Sequence, residues 1–294
     1  MAISNSRRIG IPMVNLGLGG GGGGAGFLLD DYPNAAGHSY SLRQLSSTVT
    51  NVVRVRRSSD NAEQDFTASQ ITNGMLATFC GVGEGFVAKW YDQSNSSDVL
   101  NFTALQQPKI VSGGVVTLEN GKPCVEFDGV DDSLQVLLDL PYVSNYYLFA
   151  VNTWVSAPEE GAGYMYGLAD SLLAPIVGDN SFRWDGTQAH MRGFQSDLSI
   201  IKPGSFPQSL YYARQAVGAI GSLGSQLKIN TTQYPLFGAT ANGSTSVNTI
   251  HLGESGVGGQ NGNIKLQEFI LYFTDPGLNA TAIESNINTH YSIY

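Results

Sequence analysis

Phe182-Arg183-Trp184-Asp185-Gly186 sets an indole, a cation and a carboxylate side by side at the end of a short strand. An aromatic face of this kind stacks on a sugar ring while polar neighbours bond its hydroxyls. Arg183, Trp184 and Asp185 are therefore the candidate glycan-binding residues. The other reading, in which Trp184 packs beneath its own loop, is equally open from the pattern. Asp131-Asp132 follow a strand and offer the oxygen ligands Ca²⁺ takes. No EF-hand-like spacing accompanies them, and acids at strand–turn junctions are ordinary, so no metal is expected. His38, His190, His251 and His290 are scattered without a His-Glu-x-x-His arrangement and read as surface residues. Gly253-Glu254-Ser255-Gly256-Val257 is not a nucleophile elbow, because its second glycine comes one place early. Cys80 and Cys124 are too few for a disulfide framework and lack zinc spacing. A Gly-x-Gly-x-x-Gly match at Gly17, Gly19 and Gly22 lies in a glycine run with no strand before it or helix after it. No cofactor is expected.

The elements that would carry these residues read as strands. Asn51–Val55 is β-branched, with Arg54 and Arg56 expected on one face and Val53 and Val55 on the other. Asp60, Glu63 and Asp65 follow and would compensate those arginines. Phe86–Tyr91 alternates, and Asp92-Gln93-Ser94-Asn95 supplies turn chemistry. Lys109–Val111 and Val115–Leu118 form a hairpin across Gly113-Gly114, and Cys124–Phe127 closes at Asp128-Gly129. Tyr146–Trp154 is apolar throughout and is expected at the centre of a sheet. Further short strands are expected at Gly163–Gly167, Ser181–Trp184, Leu210–Ala213, 216–220, Gln226–Ile229, Val247–Leu252 and Ile264–Phe273. The one expected helix runs from Asn279 to Tyr291, with Ile283, Ile287 and Tyr291 on one stripe and Thr281 and Glu284 at capping-box spacing.

The chain has 294 residues, 42% hydrophobic, 13% charged, with 36 glycines. Low charge and abundant turn formers suit an all-β protein. A net charge of −9 excludes nucleic-acid binding through phosphate neutralisation. No run reaches the ~18 apolar residues of a membrane-spanning helix, so no membrane insertion is expected. Arg7 and Arg8 precede a stretch broken by Gly10, Pro12 and Asn15, a poor signal peptide; synthesis in a host cytoplasm is the expectation. Residues 1–26 form a separate arm, with eight glycines between Gly17 and Gly26. Ile9, Ile11, Met13, Leu16 and Leu18 have no core of their own there. The arm is expected to dock on other subunits, with Arg7 and Arg8 meeting acidic partners. A homo-oligomer or multicopy assembly follows from that expectation.

Tyr40-Ser41-Leu42-Arg43-Gln44-Leu45, Val53–Asn61, Lys89-Trp90-Tyr91-Asp92-Gln93-Ser94, Gln107-Pro108-Lys109-Ile110-Val111 and Val125–Leu134 stand in fixed order and spacing. These blocks resemble the N-terminal part of the catalytic domain of the fungal-type arabinofuranosidase B family. Similar blocks also occur in virion proteins of tailed bacteriophages. The resemblance implies one concanavalin A-like jelly-roll β-sandwich over residues 27–294, all-β, with a short C-terminal helix and an extended Gly-rich N-terminal arm. It covers about a third of the chain. The family draws its two catalytic carboxylates from the second half of the domain. Glu159, Glu160, Asp170, Asp179, Asp185, Asp197, Glu254 and Glu268 match none of those contexts. The family's cysteine partner for the Cys80 position is replaced by Gly83-Glu84-Gly85. No catalytic residue carries over, and the expectation is a non-enzymatic bacteriophage virion component that displays a lectin-like domain, with host surface glycans as partners. The alternatives are a glycoside hydrolase of arabinofuranosidase type and a carbohydrate-binding module.

Overall fold

The computed structural model describes residues 26–34, 37–138, 145–156, 163–169, 180–185, 188–193, 196–201, 207–216, 226–234, 248–256 and 260–294. The arm residues Arg7, Arg8, Ile9, Ile11, Met13, Leu16 and Leu18 lie outside them, as does the expected strand beyond Ala216. Among the described residues every strand pairing is antiparallel, and the result is the expected all-β sandwich.

Asn145–Trp154 is central because both its faces are covered. Tyr146, Leu148, Ala150 and Trp154 point into the main core, while Tyr147, Phe149 and Val151 face a second cluster beneath the C-terminal helix. On one side it pairs with Ser209–Ala216, then Gln226–Ile229 and Thr232–Tyr234. On the other it pairs with Asn263–Tyr272, whose far edge takes His38–Ser41 at one end and Val125–Asp128 at the other. The facing layer is built around Leu134–Leu137, between Val99–Leu100 and Thr249–Leu252. It runs outward through Gly163–Ala169, Asn180–Trp184, Gln188–Gly193 and Ser196–Ile201 on one flank. On the other flank come Gly85–Trp90, Asn51–Arg57 and Glu63–Thr67. Lys109–Ser112 links the layers by pairing with both Val125–Asp128 and Gly85–Trp90. Aromatic contacts bind them across the core: Tyr166 lies 5.4 Å from Phe269, and Phe182 lies 5.1 Å from Tyr211.

The C-terminal helix spans Ala280–Tyr291 and buries Ile283, Ile287 and Tyr291, as the stripe requires. Its N-cap Asn279 makes no side-chain cap, and Glu284 instead pairs with Lys228 at 2.6 Å. The capping box occurs elsewhere, at Thr67 and Gln70, and starts the five-residue helix Ala68–Thr72. Short helices at Leu28–Asp31 and Met75–Cys80 also go beyond the sequence expectation. Cys80 and Cys124 are buried free thiols, pushed up by burial to about 11 and about 12, which leaves them unreactive.

The blocks that carry the family resemblance stitch the sandwich together. Asp92 is buried and accepts from His38 Nδ1 and Ser39 N–H, both at 2.9 Å, and from Ser94 N–H at 2.8 Å. The Gln93 amide donates to the Ser41 and Arg43 carbonyls and accepts from Leu45 N–H. Each buried polar atom so paired avoids the ~1–3 kcal/mol cost of an unsatisfied group. His38 is accordingly a buried residue, not the surface histidine the sequence suggested.

Candidate functional site

Alternation fixes what the outer face of the Leu134–Leu137 layer displays. Val99, Leu134, Ile250 and Leu252 point into the core. Their neighbours Asp98, Leu100, Gln135, Leu137 and His251 must then point outward. Register places Leu100 opposite Gln135, and Gln135 opposite His251. The result is a groove of about 450 Å³ lined by Asp98, Leu100, Phe102, Gln135, Leu137 and Thr249. Phe102 is 92% exposed and Leu137 73% exposed, while Asp98 is held by Lys89 at 3.1 Å.

Phe102 is exposed, yet the loop that carries it is tied down from below. The buried Arg56 side chain donates to Gln107 Oε1 at 2.7 Å, to Asn61 Oδ1 at 2.8 Å and to the Ala104 carbonyl at 2.8 Å. Gln107 Nε2 donates to the Asn101 carbonyl at 2.7 Å. Asn101 Nδ2 reaches the Ser133 carbonyl at 2.9 Å, and its Oδ1 accepts from Thr103 N–H at 2.8 Å. A platform fixed this way loses little freedom when a ligand stacks on it. Arg54 pairs with Asp65 at 2.7 Å, as expected of a compensated arginine. Arg56 shares Arg54's face, opposite the core residues Val53 and Val55, and is buried there under the loop it bonds.

The Phe102 loop is also tied to the turn Asp128–Asp132 through Asn101 and Ser133, although none of that turn's carboxylates lines the groove. One carboxylate oxygen each from Asp128, Asp131 and Asp132 lie within 4.8 Å of one another. Asp132 is buried and pushed up to about 7: burial is the main cause, followed by the charge of Asp128, with Asp131 adding and the Asp128 backbone N–H opposing. A carboxyl that keeps its proton to neutral pH beside other carboxylates has the property a general acid needs. The same three groups could hold a divalent cation. Two of their oxygens are already engaged, Asp132 Oδ2 by Asp128 N–H and Asp128 Oδ1 by the Val130 and Asp131 N–H groups, which leaves fewer free lone pairs than a six- to eight-oxygen site takes. The loop after Thr249–Leu252 closes on this corner. Gly253, at φ 83°, brings it tight over Phe127, where a Cβ would fall 2.1 Å from the ring. Glu254 then bonds His251 Nδ1 at 2.8 Å, and Asn261 Nδ2 donates to the Asp132 carbonyl at 3.2 Å.

The residues singled out from sequence sit elsewhere. Trp184 is 6% exposed and meets Trp154 edge-on at 5.8 Å between the layers, because it shares a strand face with Phe182. Arg183 points the other way. Asp185 bonds His190 Nε2 at 2.8 Å, so this part of the sandwich brings together Arg183, Asp185 and His190 without an exposed indole. Asp131 and Asp132 do meet, with Asp128 added. Sequence reasoning missed Phe102, Gln135 and Asp98. The only signal for Phe102 was an apolar residue inside the polar stretch Asn101-Phe102-Thr103.

No known family model and no characterised protein sequence matches this chain. Solved structures do. A GH54 α-L-arabinofuranosidase soaked with 4-nitrophenyl α-L-arabinofuranoside superposes with a TM-score of 0.61 at 13% identity. An arabinofuranosidase complexed with arabinofuranosyl-α-1,2-xylobiose gives 0.60 at 12% identity. Each match covers 88% of this chain, and this chain spans 64% of the length of those structures. Trypanosoma rangeli sialidase matches over 67% of this chain and 30% of its own, at 12% identity and a TM-score of 0.49, a likeness too slight to argue from. The expectation of a non-enzymatic protein is corrected here. It rested on missing sequence contexts around two carboxylates, whereas the fold shared across most of the chain is that of glycosidases. This chain folds as the arabinofuranosidase sandwich does.

Proposed function

We propose that the chain is a carbohydrate-active protein, a glycoside hydrolase of arabinofuranosidase type that seats an arabinofuranosyl-bearing glycan in the Phe102 groove. The observation that carries this reading is a fully exposed aromatic, Phe102, on a loop locked by buried hydrogen bonds beside Asp98 and Gln135. The ring supplies the stacking face, and the amide and carboxylate supply partners for sugar hydroxyls. Asp132, pushed up to about 7 in the turn that Asn101 of the Phe102 loop reaches through Ser133, is the proton donor in this reading. Asp128 and Asp131, within 4.8 Å, supply the opposing carboxylate; retaining hydrolysis needs two such groups about 5 Å apart. The matched sandwich and the ligands of those arabinofuranosidase structures support the choice of sugar. The expected virion placement rests on the arm, the lectin-type fold, the unmatched catalytic contexts and the resemblance of the blocks to phage proteins, and draws nothing from this groove.

Stacking on one ring is worth on the order of 1 kcal/mol, and together with hydroxyl contacts to Gln135 and Asp98 an arabinofuranosyl-xylobiose should reach about millimolar affinity, about 4 kcal/mol in all. Phe102→Ala should weaken it roughly fivefold while leaving the melting temperature unchanged, since the ring contacts solvent. Turnover of 4-nitrophenyl α-L-arabinofuranoside should disappear in Asp132→Asn. Binding that is indifferent to Phe102→Ala removes the groove from the account, and turnover that survives Asp132→Asn removes the proposed acid.

A further inference from the structure

A second cavity, of about 250 Å³, opens on another part of the surface. It lies between Leu42–Arg43, the helix Ala68–Thr72, the Lys122–Pro123 strand and the end of the C-terminal helix, and shares no residue with the groove. Its polar lining offers the Arg43 guanidinium, the Lys122 ammonium and the His290 ring, while the Thr72 hydroxyl donates to the Ser69 carbonyl and the Ser69 hydroxyl bonds Thr67 Oγ1.

The cationic wall is fixed. Arg43 donates Nε and Nη2 to Glu268 at 2.7 and 2.9 Å, and Nη1 to Asn286 Oδ1 at 2.8 Å. Its guanidinium carbon sits 5.8 Å from the Tyr291 ring centroid. A guanidinium has five N–H groups, so two remain for a ligand. Glu268 neutralises Arg43 from below, whereas Lys122 has no carboxylate at ion-pair distance among the described residues. The His290 ring lines the same cavity. Burial first, then the charge of Arg43, with Lys122 adding and Glu268 opposing, hold that ring down at about 4. At neutral pH it is an uncharged imidazole, able to donate one hydrogen bond.

We propose that this cavity binds a small oxyanion, a carboxylate or phosphate group, clamped between Lys122 and the free N–H groups of Arg43. The volume falls below the ~300–1,000 Å³ of pockets for drug-sized molecules, so the ligand is a monosaccharide acid or smaller. A uronic acid and inorganic phosphate share this chemistry. The inference does not depend on the groove: either site can be present without the other.

The test is a titration of the intact chain followed through the His290 ring resonances, using inorganic phosphate, glucuronate and the neutral glucuronamide. A saturable shift with phosphate or glucuronate, at about millimolar affinity, is expected, with none from glucuronamide. Which of the two anions binds more tightly identifies the source. Lys122→Gln should weaken binding at least about tenfold, the loss of one charge-assisted contact, while Lys109→Gln, whose ammonium is already paired with Glu84 at 2.9 Å, should leave it unchanged. A His290 that ignores both anions, an equal response to glucuronamide, or full affinity in Lys122→Gln would each overturn the proposal.

Discussion

Replacing Arg43 with methionine should lower the stability of the sandwich by about 3–5 kcal/mol, the cost of leaving one partner of a buried ion pair alone. Glu268 is fully buried on the Asn263–Tyr272 strand and receives two hydrogen bonds from Arg43. Ser41 Oγ at 2.7 Å and Tyr291 OH at 3.3 Å are its remaining donors, too few to replace a guanidinium. For a domain of this size the loss corresponds to a fall in melting temperature on the order of 10 °C. Changing both residues, Arg43→Met with Glu268→Leu, should recover most of the loss, because desolvating neither charge is nearly neutral. A double variant as unstable as Arg43→Met alone would show that the pair is not the source of the effect.

Asp132 makes a prediction of opposite sign. Its folded-state value of about 7 lies above the roughly 3.9 of an unfolded aspartate. Between those values the native state holds a proton that the unfolded chain has released. Stability is therefore greatest below about pH 4, falls by up to about 1.4 kcal/mol per unit as pH rises towards 7, and levels off above it. Asp132→Asn keeps an acceptor for the Asp128 N–H, which Asp132 Oδ2 now takes at 3.0 Å, and removes the like charge. The variant should be more stable than the parent at pH ~8 by roughly 2–4 kcal/mol and show a flat profile between about pH 4 and 7. Denaturant melts at several pH values measure both. Parallel profiles for parent and variant would mean Asp132 is an ordinary carboxylate, and would remove the proposed acid with it.

The two predictions concern residues that the sequence exposed to different degrees. The Ile283, Ile287, Tyr291 stripe and the unbroken apolar run Tyr146–Trp154 were legible because helix and strand periodicity determine burial directly. The sandwich followed from the matched blocks, and the structure gives the reason: Asp92, Gln93 and Arg56 make the buried hydrogen bonds that join distant strands. The exposure of Trp184 stayed open in the sequence, although Phe182 and Trp184 lie two apart and must share a face. The Thr67–Gln70 capping box was readable as Thr-x-x-Gln, but no long apolar stripe follows to draw attention to it. The groove was beyond reach. Leu100, Gln135 and His251 are brought together by register between strands far apart in sequence, and local pattern carries no register. Likewise His251 and Glu254 look like isolated surface residues until the turn at Gly253 joins them.

The central claim is that carbohydrate sits on the outer face between Phe102 and Leu137. Amide-resolved NMR of the intact chain, titrated with arabinofuranosyl-xylobiose, maps the bound face directly. The account predicts saturable shifts confined to Asp98–Thr103, Leu134–Leu137 and Thr249–His251, lost in Phe102→Ala. Saturable shifts centred instead on Arg183–Asp185 and His190, with the Phe102 loop unmoved, would contradict it.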